Sequence, residues 1–161
     1  MRWKNLLALC AIALGFGLAQ GRLYGEALGG NLSVTPNFSA ALGIRAGAEN
    51  VLGPVGFRGA VELGSSSVNN VSILLVALNV DALYPLPLDQ GLKVDAGLGL
   101  GLLLVSAGGT SATDFAVRGL VGLEVPVQGS LALRVEPTFS YYFQAQQAAF
   151  GIVFGPRVYL K

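Results

Sequence analysis

Histidine is absent from this chain, and cysteine, methionine and tryptophan occur once each. Without histidine the commonest general base and the commonest metal ligand are gone, and a single cysteine forms neither an internal disulfide nor a CxxC redox pair. Charge is also scarce: Asp, Glu, Lys and Arg make up 12% of the 161 residues, where an ordinary soluble surface carries roughly 25 to 35%. A formal net charge of +1 gives no electrostatic reason to expect nucleic acid as a partner. What the chain has in quantity is apolar residues, 53%, and 23 glycines. Apolar content this high can bury enough surface to fold, which excludes a disordered chain.

The first residues read as an export signal. Arg2 and Lys4 precede an apolar run from Leu6 to Leu18, and Gly17 and Ala19 place small residues before a cut between Ala19 and Gln20. The run is shorter than the roughly 20 residues that span a bilayer as a helix, and Gly15 and Gly17 interrupt it. The expected organisation is a signal peptide at 1–19 and one domain at 20–161, with no linker.

The domain repeats a period of two, the signature of strands whose successive side chains point to opposite faces. Leu92, Val94, Ala96, Leu98 and Leu100 alternate with Lys93, Asp95, Gly97 and Gly99. Leu131, Leu133, Val135, Phe139 and Tyr141 alternate with Arg134, Glu136, Thr138 and Ser140. Eight such strands are expected, centred near residues 26, 44, 59, 77, 98, 119, 135 and 154, with turns at 29–37, 50–54, 64–70, 85–91, 107–114, 126–130 and 144–148. Pro137 and Pro156 fall inside strands and lack a ladder donor, so a bulge or a strand end is expected at each.

Which face points inward decides the class. In a soluble lipocalin-like cup the polar parity would meet water, but one or two charges per strand padded with glycine and alanine make a poor aqueous surface. In an eight-stranded antiparallel up-and-down transmembrane β-barrel the apolar parity meets lipid, and small and charged residues fill a narrow lumen. Arg45, Glu49, Arg58, Glu62, Asp81, Lys93, Asp95, Arg118, Glu124, Arg134, Glu136 and Arg157 are then all internal, with Glu26 beside them in the periplasmic half of the lumen, and buried charges demand an ion-pair network. Leu75, Gly97, Gly99, Gly101 and Leu103 are expected to make the outer half of the lumen drier and smaller. A serine at Gly97 should be accepted there, and an aspartate at lipid-facing Val121 refused. With the N-terminus on the periplasmic side, Phe38, Phe115, Tyr141, Phe143 and Phe150 fall toward the outer rim, and Phe57 and Tyr84 toward the inner one. This is the placing of aromatic girdles at the two membrane interfaces.

The signal segment, the eight alternating strands and the closing strand resemble the small outer-membrane barrels of diderm bacteria, of the OmpA transmembrane-domain and OmpX kind. Such proteins end in a glycine followed by apolar residues at alternate positions, which Gly155, Val158 and Leu160 match as an assembly signal. Val153 and the terminal Lys161 depart from that pattern. The resemblance implies an outer-membrane location, lipid and the secretion and barrel-assembly machineries as partners, and a structural, envelope-integrity or surface-interaction role. Eight strands enclose only their own side chains, so an open pore is not expected. Two other readings stand beside it: a binding or transport barrel for a small apolar molecule, similar to the OmpW type, and a soluble periplasmic lipocalin-like binder. Outer loops of about 5 to 9 residues, nearly uncharged, favour the plain envelope barrel over an adhesive surface. The oligomeric state stays open.

Enzymatic readings find little support. Ser65 to Ser67 and Ser140 have no histidine to act as base, and Glu124 with Glu136, the one carboxylate pair considered, sits among cations. The GLGLG at 97–101 lies inside a strand, without the strand-turn-helix context of a nucleotide site. No catalytic residue, cofactor or metal is expected.

Overall fold

A computed structural model describes residues 22–27, 30–35, 39–68, 71–86, 88 and 92–160. The signal segment at 1–19, Phe38 and Lys161 lie outside the described residues. Nine strand segments follow in order: β1 (Leu23–Ala27), β2 (Gly30–Thr35), β3 (Ser39–Leu52), β4 (Val55–Val68), β5 (Val71–Leu86), β6 (Lys93–Ala107), β7 (Thr110–Gln128), β8 (Leu131–Tyr142) and β9 (Gln147–Tyr159). β1 and β2 both pair with β3 and with β9, so they are two pieces of one stave. The remaining strands each pair antiparallel with their sequence neighbours. The result is a closed, eight-staved, up-and-down antiparallel barrel.

The register fixes its dimensions. Following hydrogen-bonded partners round the ring from Glu26 leads through Arg45, Ala60, Asn79, Gly101, Ala116 and Tyr142 to Gln147. Glu26 itself pairs with Arg157, ten residues further along that strand. A stagger of ten over eight staves tilts the strands by about 40° and sets a backbone radius of about 8 Å, given the usual rise and strand spacing. Such a bore holds side chains and little else.

Alternation then sorts the two surfaces. Outward residues such as Leu98 (76% exposed), Ile44 (69%) and Leu100 (68%) stand beside inward ones such as Asp81 and Glu136, both 0%. Among the described strand residues every Asp, Glu, Lys and Arg lies on the inward parity, as a hydrocarbon surround demands.

The turns are tighter than expected. The stretches 64–68 and 107–113 read as loop in the sequence, but β4 runs to Val68, and β6 and β7 pair as far as Ala107 and Thr110, leaving a two-residue turn at 108–109. Likewise 30–35 is strand, not turn. Gly108 and Gly109 both have positive φ, the backbone that tight two-residue hairpin turns require.

Pro137 and Pro156 also behave differently from expectation. Pro137 pairs with Ile152 in an unbroken β8–β9 register. Against β7 the pairs stop at Leu120 and Thr138 and resume at Leu123 and Val135 without a slip, so the missing donor leaves a gap and no bulge. Pro156 pairs with Leu133, again in register. The irregularity beside it falls on the neighbouring stave: between Glu26 and Gly30 the chain advances four residues while β9 advances three, from Arg157 to Phe154. The same one-residue excess appears against β3, so the register shift belongs to the first stave.

Candidate functional site: the charged lumen

The lumen divides into two parts along its axis. Toward the end where residues 22 and 160 lie, inward side chains from every stave interlock. Glu136, on β8 and fully buried, accepts hydrogen bonds from Arg45 (2.7 Å), from Arg58 (2.7 and 2.9 Å) and from Arg134 (3.0 Å). Arg58 also donates to Asp81 at 2.7 and 3.2 Å. Arg134 makes a two-pronged contact with Asp95 at 2.7 and 2.5 Å. Arg45 reaches Glu62 at 3.0 Å.

Nearer the same end Arg157 donates to Glu124 (2.7 Å) and to Glu26 (2.6 Å through Nε), and its Nη2 also pairs with Glu26. Its guanidinium lies over the Tyr24 ring, 4.0 Å from the centroid. The Tyr159 hydroxyl sits 2.7 Å from Glu49 and 2.8 Å from Glu124, and Lys93 donates to it at 3.2 Å. Lys93, with half its side chain exposed, marks where the network meets solvent. Removing charges from water is costly, and two-pronged arginine–carboxylate geometry with several hydrogen bonds per group is what offsets the cost.

Small residues make room for this packing. Gly122 faces Arg134 so closely that a Cβ there would overlap the guanidinium. Gly97 lies in this half too, contrary to the placement expected for it. A Cβ at Gly97 would stand 2.7 Å from Leu83 and 2.9 Å from Leu120, so a serine is not simply accepted. Gly99 pairs with Asp81 and Arg118 and is likewise part of the charged half.

The other half is open. A cavity of about 550 Å³ is walled by Ile73, Leu75, Leu103, Val105, Ala112 and Ala149 and reaches the end that carries the 108–109 and 143–146 turns. The outer lumen is therefore mainly apolar, with Glu62, Thr113, Asp114 and Tyr142 among its polar lining, and larger, not smaller, than expected, because alanines from several staves face one another. Below it a throat of about 60 Å³ is lined by Glu62, Asn79, Arg118, Thr138, Ser140 and Tyr142. At the mouth, Asp114 accepts the backbone N–H groups of Gln144 and Ala145 at 2.9 Å each, fixing the 143–146 turn.

The structure thus brings Arg45, Glu49, Arg58, Glu62, Asp81, Lys93, Asp95, Glu124, Arg134, Glu136 and Arg157 into hydrogen-bonded or ion-paired contact, and joins Arg118 to them only through a 3.4 Å contact with Asp81. Glu26, expected among the lumen charges, joins the network through Arg157, and Tyr24, Tyr159 and Asn79, which the expected network does not include, line the same lumen. All four lie on the inward parity of their strands, which is the signal that finds them. On the outer wall Phe115, Tyr141, Phe143 and Phe150 are exposed toward the open end, with Tyr141 and Phe143 in edge contact (5.6 Å), and Phe57 and Tyr84 toward the other. Gly155 pairs with Arg134, while Val158 and Leu160 are exposed outward at the end of the last strand. Among the described residues no group of three or more acidic or sulfur side chains is placed to hold a metal ion.

No protein-family model matches this sequence, and no curated protein does. Solved structures do match in fold. Neisserial surface protein A superposes with a TM-score of 0.69 at 15% identity, over 87% of this chain and 97% of its own. A major outer membrane protein from Thermus thermophilus gives 0.69 at 15% identity, over 88% and 100%. The N-terminal β-barrel domain of Pseudomonas aeruginosa OprF gives 0.58 at 17% identity, over 88% and 100%.

Proposed function

We infer that this chain is exported, loses residues 1–19, and stands in the outer membrane as a closed barrel with a structural, envelope-integrity or surface-interaction role. The observation that carries the reading is the pairing of an apolar outer wall with a lumen stopped by its own ion pairs. A hydrocarbon-facing belt has no use on a soluble protein, and a bore of about 8 Å radius filled by arginines and carboxylates has no room for a diffusion path. Surface proteins and outer membrane proteins of the same fold support the location. Gly155, Val158 and Leu160 serve as the signal to the assembly machinery, and lipid is the constant partner of the outer wall. The role is non-enzymatic: the lumen carboxylates are engaged with arginines, and the chain has no histidine.

Cell fractionation followed by gel mobility with and without boiling tests this. The expected result is an outer-membrane protein, lacking its first 19 residues, whose unboiled form is compact and migrates faster, and which adds no conductance to a planar bilayer. Recovery as a soluble periplasmic protein without a heat shift would replace the reading with a lipocalin-like binder.

A further inference from the structure

Among the described residues one lumen arginine donates no hydrogen bond. Arg45, Arg58, Arg134 and Arg157 each donate to carboxylates, and Lys93 to Tyr159. Arg118 donates no hydrogen bond among the described residues, although it is only 6% exposed and its Nε is buried without a partner. Its one ion-pair contact is Asp81 Oδ1 at 3.4 Å, an oxygen likewise buried without a hydrogen bond, while Arg58 holds the other oxygen. This contact faces Nε and leaves the two terminal nitrogens of the guanidinium without a hydrogen bond. The other acids nearby are engaged as well, Glu62 by Arg45 and Asp114 by two backbone N–H groups. A guanidinium has five donors, and burying donors unmatched costs more than a hydrogen bond returns.

Arg118 lines the throat, and the throat opens into the mainly apolar cavity above through the shared residues Glu62, Ala77, Leu103, Tyr142 and Ala149. The cavity, at about 550 Å³, lies within the roughly 300 to 1,000 Å³ of small-molecule sites. A mainly apolar chamber ending in a small polar recess with guanidinium donors that make no hydrogen bond matches an aliphatic body with one acceptor head.

We propose that the open half of the lumen binds a medium-chain aliphatic carboxylate, with its chain against Ile73, Leu75, Leu103 and Val105 and its head group on Arg118. The ion pairs below close the floor, so the cup is a binding site and not a passage. This goes beyond the structural role and needs only the same closed lumen.

The test uses the 15N-labelled barrel in phosphatidylcholine nanodiscs, titrated with decanoate and with decylamine. Amides of Ala77, Leu103 and Ala149 report the cup, and those of outward-facing Leu98 and Val117 report simple partition into the bilayer. Decanoate is expected to give saturable shifts at the cup amides, with decylamine about tenfold weaker or worse, the value of one charge-assisted hydrogen bond. Arg118→Met should erase that preference, and Leu103→Trp, which fills the cup, should abolish binding of both. Cup amides that do not respond to decanoate, equal binding of the amine, or a preference that survives Arg118→Met would each overturn the proposal. Should Arg118→Met fail to fold, the comparison of the two head groups on the natural chain and the Leu103→Trp variant decide it.

Discussion

The two halves of this lumen are drawn from the same eight staves and the same alternation, yet one is solid and the other hollow. In the charged half, long side chains from facing staves meet at the axis, and Glu136 alone gathers three arginines. In the open half Ala41, Ala77, Ala112 and Ala149 are among the inward positions, and side chains this short leave the axis empty. A bore of fixed radius is therefore filled or left open largely by side-chain length. The contrast teaches that charge in this barrel is a packing material: the long arginine stems reach the centre, and the carboxylates hold them there.

Substitutions can break or sharpen that contrast. The largest effect is expected at Glu136→Leu, which leaves Arg45, Arg58 and Arg134 uncompensated. It should cost about 3 to 5 kcal/mol, read as a lower urea midpoint for loss of the heat-shifted band. Val121→Arg probes the outer wall at mid-height and should cost about 2 to 4 kcal/mol. If it costs nothing in lipid, the wall does not face hydrocarbon. Gly122→Ala pushes a methyl group into the Arg134 guanidinium and should cost about 1 to 3 kcal/mol by overpacking, measured by the same unfolding midpoint. Its counterpart in the open half, Ala77→Ser, should fall within about 0.5 kcal/mol of the natural chain. Equal penalties for Gly122→Ala and Ala77→Ser would mean that the two halves are packed alike.

Much of this architecture is legible in the alternation, and the rest is hidden for identifiable reasons. The parity that carries Arg58 and Glu62 apart from Phe57, Val61 and Leu63 follows directly from a period of two. Strand ends are less visible, because 64–68 and 107–113 are rich in Ser, Gly, Ala and Thr and look like loop. In a ring every strand has two neighbours to complete its ladder, and that pairing overrides weak local preference. The register shift between β1 and β2 leaves no mark in composition. The cavity is hidden for another reason: Ala77, Ala112 and Ala149 are far apart in the chain, and only the stagger of ten brings them round one space. Parity says which side a charge takes, but the choice of partner, such as Arg134 for Asp95, depends on that stagger.

The ion pairs have a further consequence for how the molecule comes together. Their members come from the first stave to the last, and Glu26 on β1 meets Arg157 on β9 across the line where the sheet closes on itself. A half-rolled sheet would carry the same arginines and carboxylates with their counterparts still on the far edge, facing hydrocarbon unneutralised. Closing the cylinder is thus the step that cancels the charges. Partly rolled forms are disfavoured from both directions, and assembly and rupture of this wall should be all-or-none, with the seam between first and last strands acting as the clasp.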